Sequence, residues 1–208
     1  MNSQESRFKM VKEHHKNTYN KAKADGKVDL EFIPICDYIA NTKHYFTSSS
    51  CAGRITLVGL DKKESKKESA FHRKWHRKVK YQEVKEGIDS YTGEVLWLKQ
   101  EPLIFHIGAD TIEHANNLLN ASRTAGVKRC GVHVIKSGKY LVEMLGSHAI
   151  TIPVKEDKFS IDEDSLKYFV KKCNEKFAKN QAHLKALTKE LKKMTKNNKK
   201  IIQKINQL

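Results

Sequence analysis

Apolar residues recur at helical spacing in some stretches of this chain and cluster into short runs in others. Near the start, Phe8, Val11 and Tyr19 lie at helical intervals among polar residues, and Gly26 ends that stretch. Short runs of β-branched and aromatic residues, which are typical of strands, come later. The first half therefore predicts, in order, a helix up to residue 26, a helix over 33–41, strands over 45–50 and 54–60, a polar loop over 61–70 and a helix over 75–86.

The second half contains one well-marked helix between groups of strands. Asp110 or Thr111 can cap its start, its apolar residues share one face, and Gly126 ends it. The remaining pattern predicts strands over 94–99, 103–107, 131–136, 140–145 and 149–154, and a last helix after Ser160.

Two rounds of helices, each followed by strands, indicate an α+β fold. A short echo between "CAGRI" and "RCGVHV" places a cysteine beside a glycine in a strand of each round. This echo suggests an internal duplication within residues 1–160.

The last helix has a regular apolar seam, which predicts packing along one stripe. At 1.5 Å per residue, a continuous helix over residues 162–208 would be about 70 Å long. We therefore expect residues 161–208 to form a separate element, with its proximal half packed on the domain and its distal half a basic overhang. The seam residues, at steps of four and three, are Leu166, Val170, Cys173, Phe177, Asn180, Leu184, Leu187, Leu191, Met194, Asn198, Ile201, Ile205 and Leu208.

The charge of the chain is +16 and is concentrated in two blocks. Residues 171–208 carry 12 lysines against Glu175 and Glu190, and residues 61–80 carry nine Lys and Arg against three acids. Basic blocks of this kind suit a polyanion such as nucleic acid, and they also occur as solvated lysine-rich surfaces.

Other features bear on the class of protein. No apolar run is long enough for a membrane span, and the first residues lack the apolar stretch of a secretion signal. The four cysteines form no CxxC pair, so we expect reduced thiols, no metal site and a cytoplasmic location.

The segment "SSSCAGR", residues 48–54, carries small residues followed by an arginine. Its exposed backbone N–H groups, its hydroxyls and the charge of Arg54 suit a carboxylate or phosphate. By residue type alone, a β-turn containing Gly53 is the favoured explanation of the segment.

The segment "KWHRKV" places Trp75, His76 and Arg77 in a basic run. An aromatic ring there can stack on a base while the cations hold phosphates, or it can pack under a loop. In the same way, Lys192, Lys193 and Lys196 near the end of the last helix are predicted RNA contacts.

The segment "EPLIFHIGADT" joins an apolar strand to the start of a helix at Gly108. Such a junction offers free N–H groups and the positive end of the helix dipole, so Gly108 is a predicted anion or cofactor contact. His106 points away from Phe105 and Ile107, either as a catalyst or as a hydrogen-bonded filler. No glycine-rich dinucleotide fingerprint, phosphate-binding loop, metal-spaced cluster or catalytic triad pattern occurs.

Together these motifs resemble those of the tRNA wybutosine-synthesising protein 3 family, in its archaeal-type branch. The resemblance covers residues 5–190 and includes the combination of "SSCxGR" with "EPxIxH". The matching segments, in family order, are "GKVDLEFIP", "YFTSSSCAGRI", "KWHRKV", "EPLIFHIGADTIEHANNLLNASRTAGVKRCGV" and "CNEKFAKN".

The resemblance implies both a reaction and a fold. The family's members use S-adenosyl-L-methionine to methylate N4 of 4-demethylwyosine, beside the anticodon of phenylalanine tRNA. Their fold is similar to two β3α2 repeats that share one barrel-like sheet, unlike a Rossmann methyltransferase. The exact acceptor, 4-demethylwyosine or its 3-amino-3-carboxypropyl derivative, stays open, and so does the oligomeric state.

The resemblance also implies site residues. Catalytic candidates that could orient or accept the N–H proton are His106 and Asp29. Candidates for cofactor binding are Ser49, Ser50, Gly53, Arg54 and Gly108.

Two other classes of function fit parts of the sequence. A non-catalytic RNA-binding protein would use the basic helix and the KWHR segment, and a coiled-coil scaffold would use the apolar seam. Binding of S-adenosylmethionine separates both of them from a methyltransferase.

Overall fold

The computed structural model describes residues 3–63 and 69–205, with side chains described as far as residue 196. The helices are α1 (Ser3–Ala24), α2 (Ile33–Ala40), α3 (Tyr81–Asp89), α4 (Ile112–Thr124) and α5 (Glu163–Ile205). The strands are β1 (Tyr45–Cys51), β2 (Arg54–Leu60), β3 (Ala70–Trp75), β4 (Val95–Glu101), β5 (Ile104–Ala109), β6 (Arg129–Lys136), β7 (Lys139–Leu145), β8 (Ile150–Glu156) and β9 (Phe159–Ser160).

The chain divides into two compact units, each with one antiparallel sheet. The first unit comprises Met1–Ala52, Leu103–Gly146 and Ala182–Leu208, and the second comprises Gly53–Pro102 and Ser147–Gln181. Each unit therefore combines segments that are distant in sequence.

The first unit has a four-stranded sheet in the order β1-β5-β7-β6. Side chains along its strands alternate between the two faces of the sheet. On one face, Phe105, Ile107, Val142 and Met144 are buried in a core with α2 and α4. The intervening side chains, among them His106, point to the opposite face because successive side chains of a strand alternate between faces.

The second unit has a five-stranded sheet in the order β3-β2-β4-β8-β9. Its core joins Leu57 of β2, Leu98 of β4 and Val154 of β8 to Val84 and Ile88 of α3. Strand β3 is an edge strand, and all six of its side chains are exposed or half-buried.

Helix α5 supplies side chains to both cores. The seam residues Leu166, Val170, Cys173 and Phe177 belong to the second core, and Leu184, Leu187 and Leu191 belong to the first. Burial continues to Thr195, which is 5% exposed. The side chains of Asn198, Ile201, Ile205 and Leu208 lie outside the described residues, so the basic overhang and the boundary at residue 160 stay predictions.

The start of one predicted helix was wrong, and strand β3 was not predicted. Residues 75–86 were expected to be helical, but Ala70–Trp75 form β3 and helix α3 begins only at Tyr81. An edge strand exposed on both faces shows no period-two apolar alternation, so no strand pattern is visible in these residues. The other predicted helices and strands are confirmed to within a few residues.

The expected single barrel-like sheet was also wrong, because the described strands form two separate hydrogen-bonded sheets. Strand β1 pairs with β5, and β4 pairs with β8. These pairings join strands that are distant in sequence, which local patterns do not encode. The α+β class and the long C-terminal helix are confirmed, whereas the duplication stays a prediction.

Among the described residues, no helix combines the length and the apolar character needed to cross a membrane.

Candidate active site

The polar face of the first unit's sheet carries a row of four hydrogen-bonded side chains. Ser49 Oγ lies 2.7 Å from His106 Nδ1, and His106 Nε2 lies 3.0 Å from Glu143 Oε2. The other carboxylate oxygen, Glu143 Oε1, lies 2.9 Å from His133 Nε2. This row, which we call the Ser49–His133 row, joins four strands across the whole sheet.

Strand register produces the row. Ser49 of β1 pairs with His106 of β5, and His106 pairs with Glu143 of β7, so their side chains share one face. An irregularity between Thr47 and Ser49 sets the register that brings Ser49 opposite His106. A second irregularity, between Val132 and Val134 of β6, leaves His133 without a paired residue on β7. The His133 side chain nevertheless contacts Glu143 of that strand.

The row is partly shielded from solvent. The His106 and Glu143 side chains are 17% and 23% exposed, while His133 is 54% exposed. Ser49 is exposed as well, so a ligand can reach the row at its serine end. Partial desolvation strengthens the hydrogen bonds inside the row.

Asp29 lies at a different place in the same unit and fixes the end of β1. The N–H of Ala52 donates a hydrogen bond to Asp29 Oδ2 at 2.6 Å. Ala52 is itself 2% exposed. The structure thus gives Asp29 a structural task, and its catalytic role stays a prediction.

Gly53 follows with a positive φ of 91°, a conformation that favours glycine. A Cβ at this position would lie 2.9 Å from the carbonyl oxygen of Glu101, within the second unit. The small residues of "SSSCAGR" therefore have two explanations. At residue 53 a side chain would collide with the backbone of Glu101, whereas Ser49 is exposed and available to a ligand.

Arg54, in the second unit, is held from two sides. Its Nε donates a short hydrogen bond to Glu101, and its guanidinium carbon lies 4.6 Å from the centroid of the Phe71 ring. Its two terminal nitrogens donate no hydrogen bond to any part of the chain that the structure describes. A planar pair of donors remains, which matches a carboxylate or phosphate.

Ser50 and Gly108 each lie next to a side chain of the first unit. The Cys36 thiol lies 4.0 Å from Ser50 Oγ, and burial raises the pKa of Cys36 to about 12, so this thiol stays protonated at neutral pH. At Gly108, a Cβ would lie 2.0 Å from the Phe46 ring. The lack of a side chain at residue 108 is therefore explained by packing, and ligand binding there stays a prediction.

The predicted RNA contacts of the KWHR segment differ in exposure. Trp75 is half-buried and packs against the second core, as the packing alternative predicted. His76 is exposed. Arg77 is exposed and pairs with Glu83 at 2.6 Å, so part of its charge is already balanced.

The three lysines of α5 are accessible to different degrees. Lys192 is half-buried, with its Nζ 5.6 Å from the centroid of the Tyr38 ring. Lys193 is 66% exposed and lies 4.0 Å from Glu190, and Lys196 is exposed.

A second polar cluster in the first unit was not visible in the sequence. Asp110 bridges His44 and His114, with each Nδ1 2.6 Å from a different carboxylate oxygen. Burial of Asp110 opposes ionisation, but the hydrogen bonds from His114 and His44 outweigh it and hold the pKa of this carboxyl well below its usual range. One ligand-type atom of each residue lies within 4.8 Å of the others, so the cluster also has the composition of a metal site.

Glu143 and His133 were missed from sequence. Each interrupts an otherwise apolar strand, "LVEML" in β7 and "GVHVI" in β6, and that charged or polar interruption was the available signal. The structure joins them to His106 and Ser49. It places Asp29 and the α5 lysines elsewhere in the first unit, and Arg54 and the KWHR residues in the second unit.

Comparisons with known proteins agree on one family. The family model described as Methyltransferase TYW3 matches residues 5–193. A relative from Archaeoglobus fulgidus is 36% identical over 86% of this chain and 91% of its own length. A relative from Thermococcus sibiricus is 31% identical over 92% of this chain and 98% of its own length. Both are named tRNA(Phe) 7-((3-amino-3-carboxypropyl)-4-demethylwyosine(37)-N(4))-methyltransferase.

Solved structures show the same fold. The PH1069 protein from Pyrococcus horikoshii matches with a TM-score of 0.84 and 28% identity, over 89% of this chain and 96% of its own. A protein from Aeropyrum pernix, 24% identical, matches in fold with a TM-score of 0.70 over 80% of this chain and 98% of its own.

Proposed function

This chain belongs to the Methyltransferase TYW3 family, and on that premise we propose that it methylates N4 of a 4-demethylwyosine base beside the anticodon of phenylalanine tRNA. The proposed methyl donor is S-adenosyl-L-methionine. As in the named relatives, the acceptor is proposed to be the 7-(3-amino-3-carboxypropyl) derivative of that base.

The Ser49–His133 row is the observation that carries this proposal. Methylation of a ring nitrogen that bears hydrogen requires a group that orients or accepts its proton. His106, hydrogen-bonded on both ring nitrogens and close to the exposed Ser49, is the best-placed such group in the described part of the chain. We therefore assign His106 the role of proton acceptor or N–H orienter.

The residues near the end of β1 fit part of a methyl donor of this kind. When bound, the donor supplies an electrophilic methyl group on a sulfonium. The hydroxyls of Ser49 and Ser50 can hydrogen-bond polar groups of the donor. In the second unit, the two terminal nitrogens of Arg54 donate no hydrogen bond within the described residues, and they are proposed separately to bind an anionic group, either a carboxylate of the donor or a tRNA phosphate. Gly53, in the same unit, is proposed as a contact through its backbone, which has a left-handed conformation.

Two predicted roles are kept in a narrower form. Asp29 supports the site by holding Ala52, and direct contact of Asp29 with the acceptor base is its proposed second task. Gly108 is proposed as a cofactor contact only through its backbone, since Phe46 fills the space beside its Cα.

For tRNA, we propose that polar and basic side chains at the surface of each unit hold the phosphates. The proposed contacts are His76 and Arg77 in the second unit and Lys192, Lys193 and Lys196 on α5. Trp75, which packs partly against the second core, is proposed to stack on a base with its accessible part. Most of the affinity of nucleic-acid binding proteins comes from such phosphate contacts and depends on salt. The proposed location is the cytoplasm, where the four cysteines, which form no disulfide, would stay reduced.

Calorimetry with S-adenosylmethionine, followed by transfer of a labelled methyl group, tests the proposal. The acceptors are tRNA(Phe) carrying 4-demethylwyosine, tRNA(Phe) carrying its 3-amino-3-carboxypropyl derivative, and an unmodified transcript as the control. We expect donor binding and transfer to the derivative, with none to the unmodified transcript. Binding of tRNA without any binding of the donor would instead support a non-catalytic RNA-binding protein, which the +16 charge also suits.

A further inference from the structure

The partners of His106 decide which of its ring nitrogens carries hydrogen. An ionised carboxylate only accepts hydrogen bonds, so the 3.0 Å contact with Glu143 requires a hydrogen on His106 Nε2. In the neutral ring, Nδ1 then has a lone pair and accepts from the Ser49 hydroxyl at 2.7 Å. The direction of both hydrogen bonds therefore follows from Glu143.

The same argument applies at the other end of the row. His133 Nε2 lies 2.9 Å from Glu143 Oε1, so His133 also donates to this carboxylate. Each oxygen of Glu143 thus has its own imidazole donor, and the carboxylate cannot rotate without losing a hydrogen bond. Because all four residues lie on neighbouring strands, the sheet itself fixes their spacing.

We propose that Glu143, held by His133, is a positioning residue that keeps His106 in the Nε2–H tautomer, so that Ser49 and His106 together accept the proton of the methylated nitrogen. This inference rests on the proposed methyl transfer. It assigns roles to two residues, Glu143 and His133, that the family motifs quoted above do not include.

The proposed step balances in atoms and charge. The acceptor nitrogen forms its bond to the methyl carbon, and the electron pair of the broken carbon–sulfur bond stays on sulfur. The N–H proton passes to Ser49 Oγ, while the Ser49 hydroxyl proton passes to His106 Nδ1. The positive charge lost from the sulfonium therefore appears on the imidazolium, beside the Glu143 carboxylate.

Nitrogen-15 NMR of the histidine rings tests the tautomer without any reaction. In the wild-type protein we expect His106 as the Nε2–H tautomer, and in Glu143→Leu, which removes the acceptor, we expect that preference to be lost. Methyl-transfer kinetics should show a fall in kcat of roughly 10²- to 10⁴-fold in Glu143→Leu, with little change in KM, because a His106 ring with hydrogen on Nδ1 cannot act as the base and general-base catalysis contributes about that much. Glu156→Leu, which removes an exposed carboxylate from β8, is the matched control and should keep wild-type values.

His133 provides the second test. His133→Ala should lower kcat by about twofold to tenfold, the effect of one lost hydrogen bond, and His133→Gln should recover most of it because glutamine also donates. Thermal melting of each variant separates these effects from unfolding, and Ser49→Ala, which leaves the His106–Glu143 pair in place, should keep the tautomer while losing turnover.

Several results would overturn the inference. They are an Nδ1–H tautomer in the wild type, an unchanged tautomer in Glu143→Leu, and a changed tautomer with unchanged kcat. A row that is purely structural would show lower melting temperatures with wild-type tautomer and kcat. If the wild-type protein transfers no methyl group, the proposed function fails, whereas the NMR result still decides the role of Glu143 toward His106.

Discussion

The Phe46 ring lies against Gly108 so closely that a Cβ at residue 108 would come within 2.0 Å of its Cζ atom. The two residues are direct partners in the pairing of β1 with β5. Phe46 is 1% exposed, so its ring cannot move aside into solvent. The glycine in the strand–helix junction is therefore required by the packing of a neighbouring strand.

Gly108→Ala is expected to destabilise the protein by about 1–3 kcal/mol, the usual cost of overpacking a filled core. Gly131→Ala is the matched control, since a Cβ there meets nothing within 4 Å, and we expect it to be nearly neutral. Chemical denaturation measures both. Adding Phe46→Leu should restore part of the loss, and donor affinity in that double variant then tests the backbone contact proposed for Gly108.

Arg54→Ala should lower methyl transfer by roughly tenfold to a hundredfold, because a charge-assisted hydrogen bond contributes about 1.5–3 kcal/mol. Arg54→Lys should recover little, since lysine lacks the planar pair of donors that a carboxylate or phosphate accepts. Circular dichroism and thermal melting are the folding controls. Wild-type transfer by a folded Arg54→Ala protein would remove Arg54 from the site.

His106→Asn should flatten the pH dependence of kcat/KM, because asparagine can hydrogen-bond to Ser49 but cannot accept its proton. His14→Asn, an exposed position on α1, is the matched control and should leave the profile unchanged. If His106→Asn lowers thermal stability while the pH profile keeps its shape, His106 is a structural residue.

Lys193→Gln combined with Lys196→Gln should weaken tRNA binding and leave donor affinity unchanged. For each lysine that contacts a phosphate of a duplex region, the slope of log K against log salt should fall by about 0.9. These substitutions are preferable to truncation after Glu190, which would remove the buried Leu191 and Thr195 and disturb the first core. Lys85→Gln on α3 controls for the loss of charge, and an unchanged salt slope in the double variant would exclude these lysines from the tRNA surface.

Asp110→Asn should reduce stability at neutral pH by about 1–3 kcal/mol, because His44 and His114 lose their charged partner. The folded-state pKa of Asp110 is lowered, so its contribution is present above the ordinary value of 3.8 and is lost as pH falls further. Wild-type and variant stabilities should therefore converge in acid. Asp89→Asn, which removes an exposed ion pair with Lys85, should cost less than about 1 kcal/mol, and equal losses in the two variants would contradict this role.

Most elements of the fold could be predicted from local patterns. Phe8 and Tyr19 show the helical period because one face of α1 is buried, and Thr111 accepts the capping hydrogen bond of α4 that its residue type suggests. Strand β3 could not be predicted, because an exposed edge strand leaves no apolar alternation. The single sheet was wrong for a related reason, since local patterns do not specify which strands pair.

The candidate site could also be predicted only in part. The motifs around Ser49, Arg54 and His106 identified the family by themselves, because they are short and chemically distinctive, whereas the roles of these residues stay predictions. The sequence could not show that Gly108 accommodates Phe46, that Arg54 pairs with Glu101, or that Asp29 holds Ala52.

The sequence alone determined the helices and strands with regular periods, the basic character and the family motifs. Only the tertiary structure decided that Glu143 contacts both His106 and His133. Along the chain, Glu143 and His133 lie 37 and 27 positions from His106. Antiparallel pairing of β5 with β7 places Glu143 beside His106, and the irregularity in β6 brings His133 to the same carboxylate. Strand register depends on long-range hydrogen bonding and core packing, whereas a sequence pattern records only which residues are neighbours along a single element.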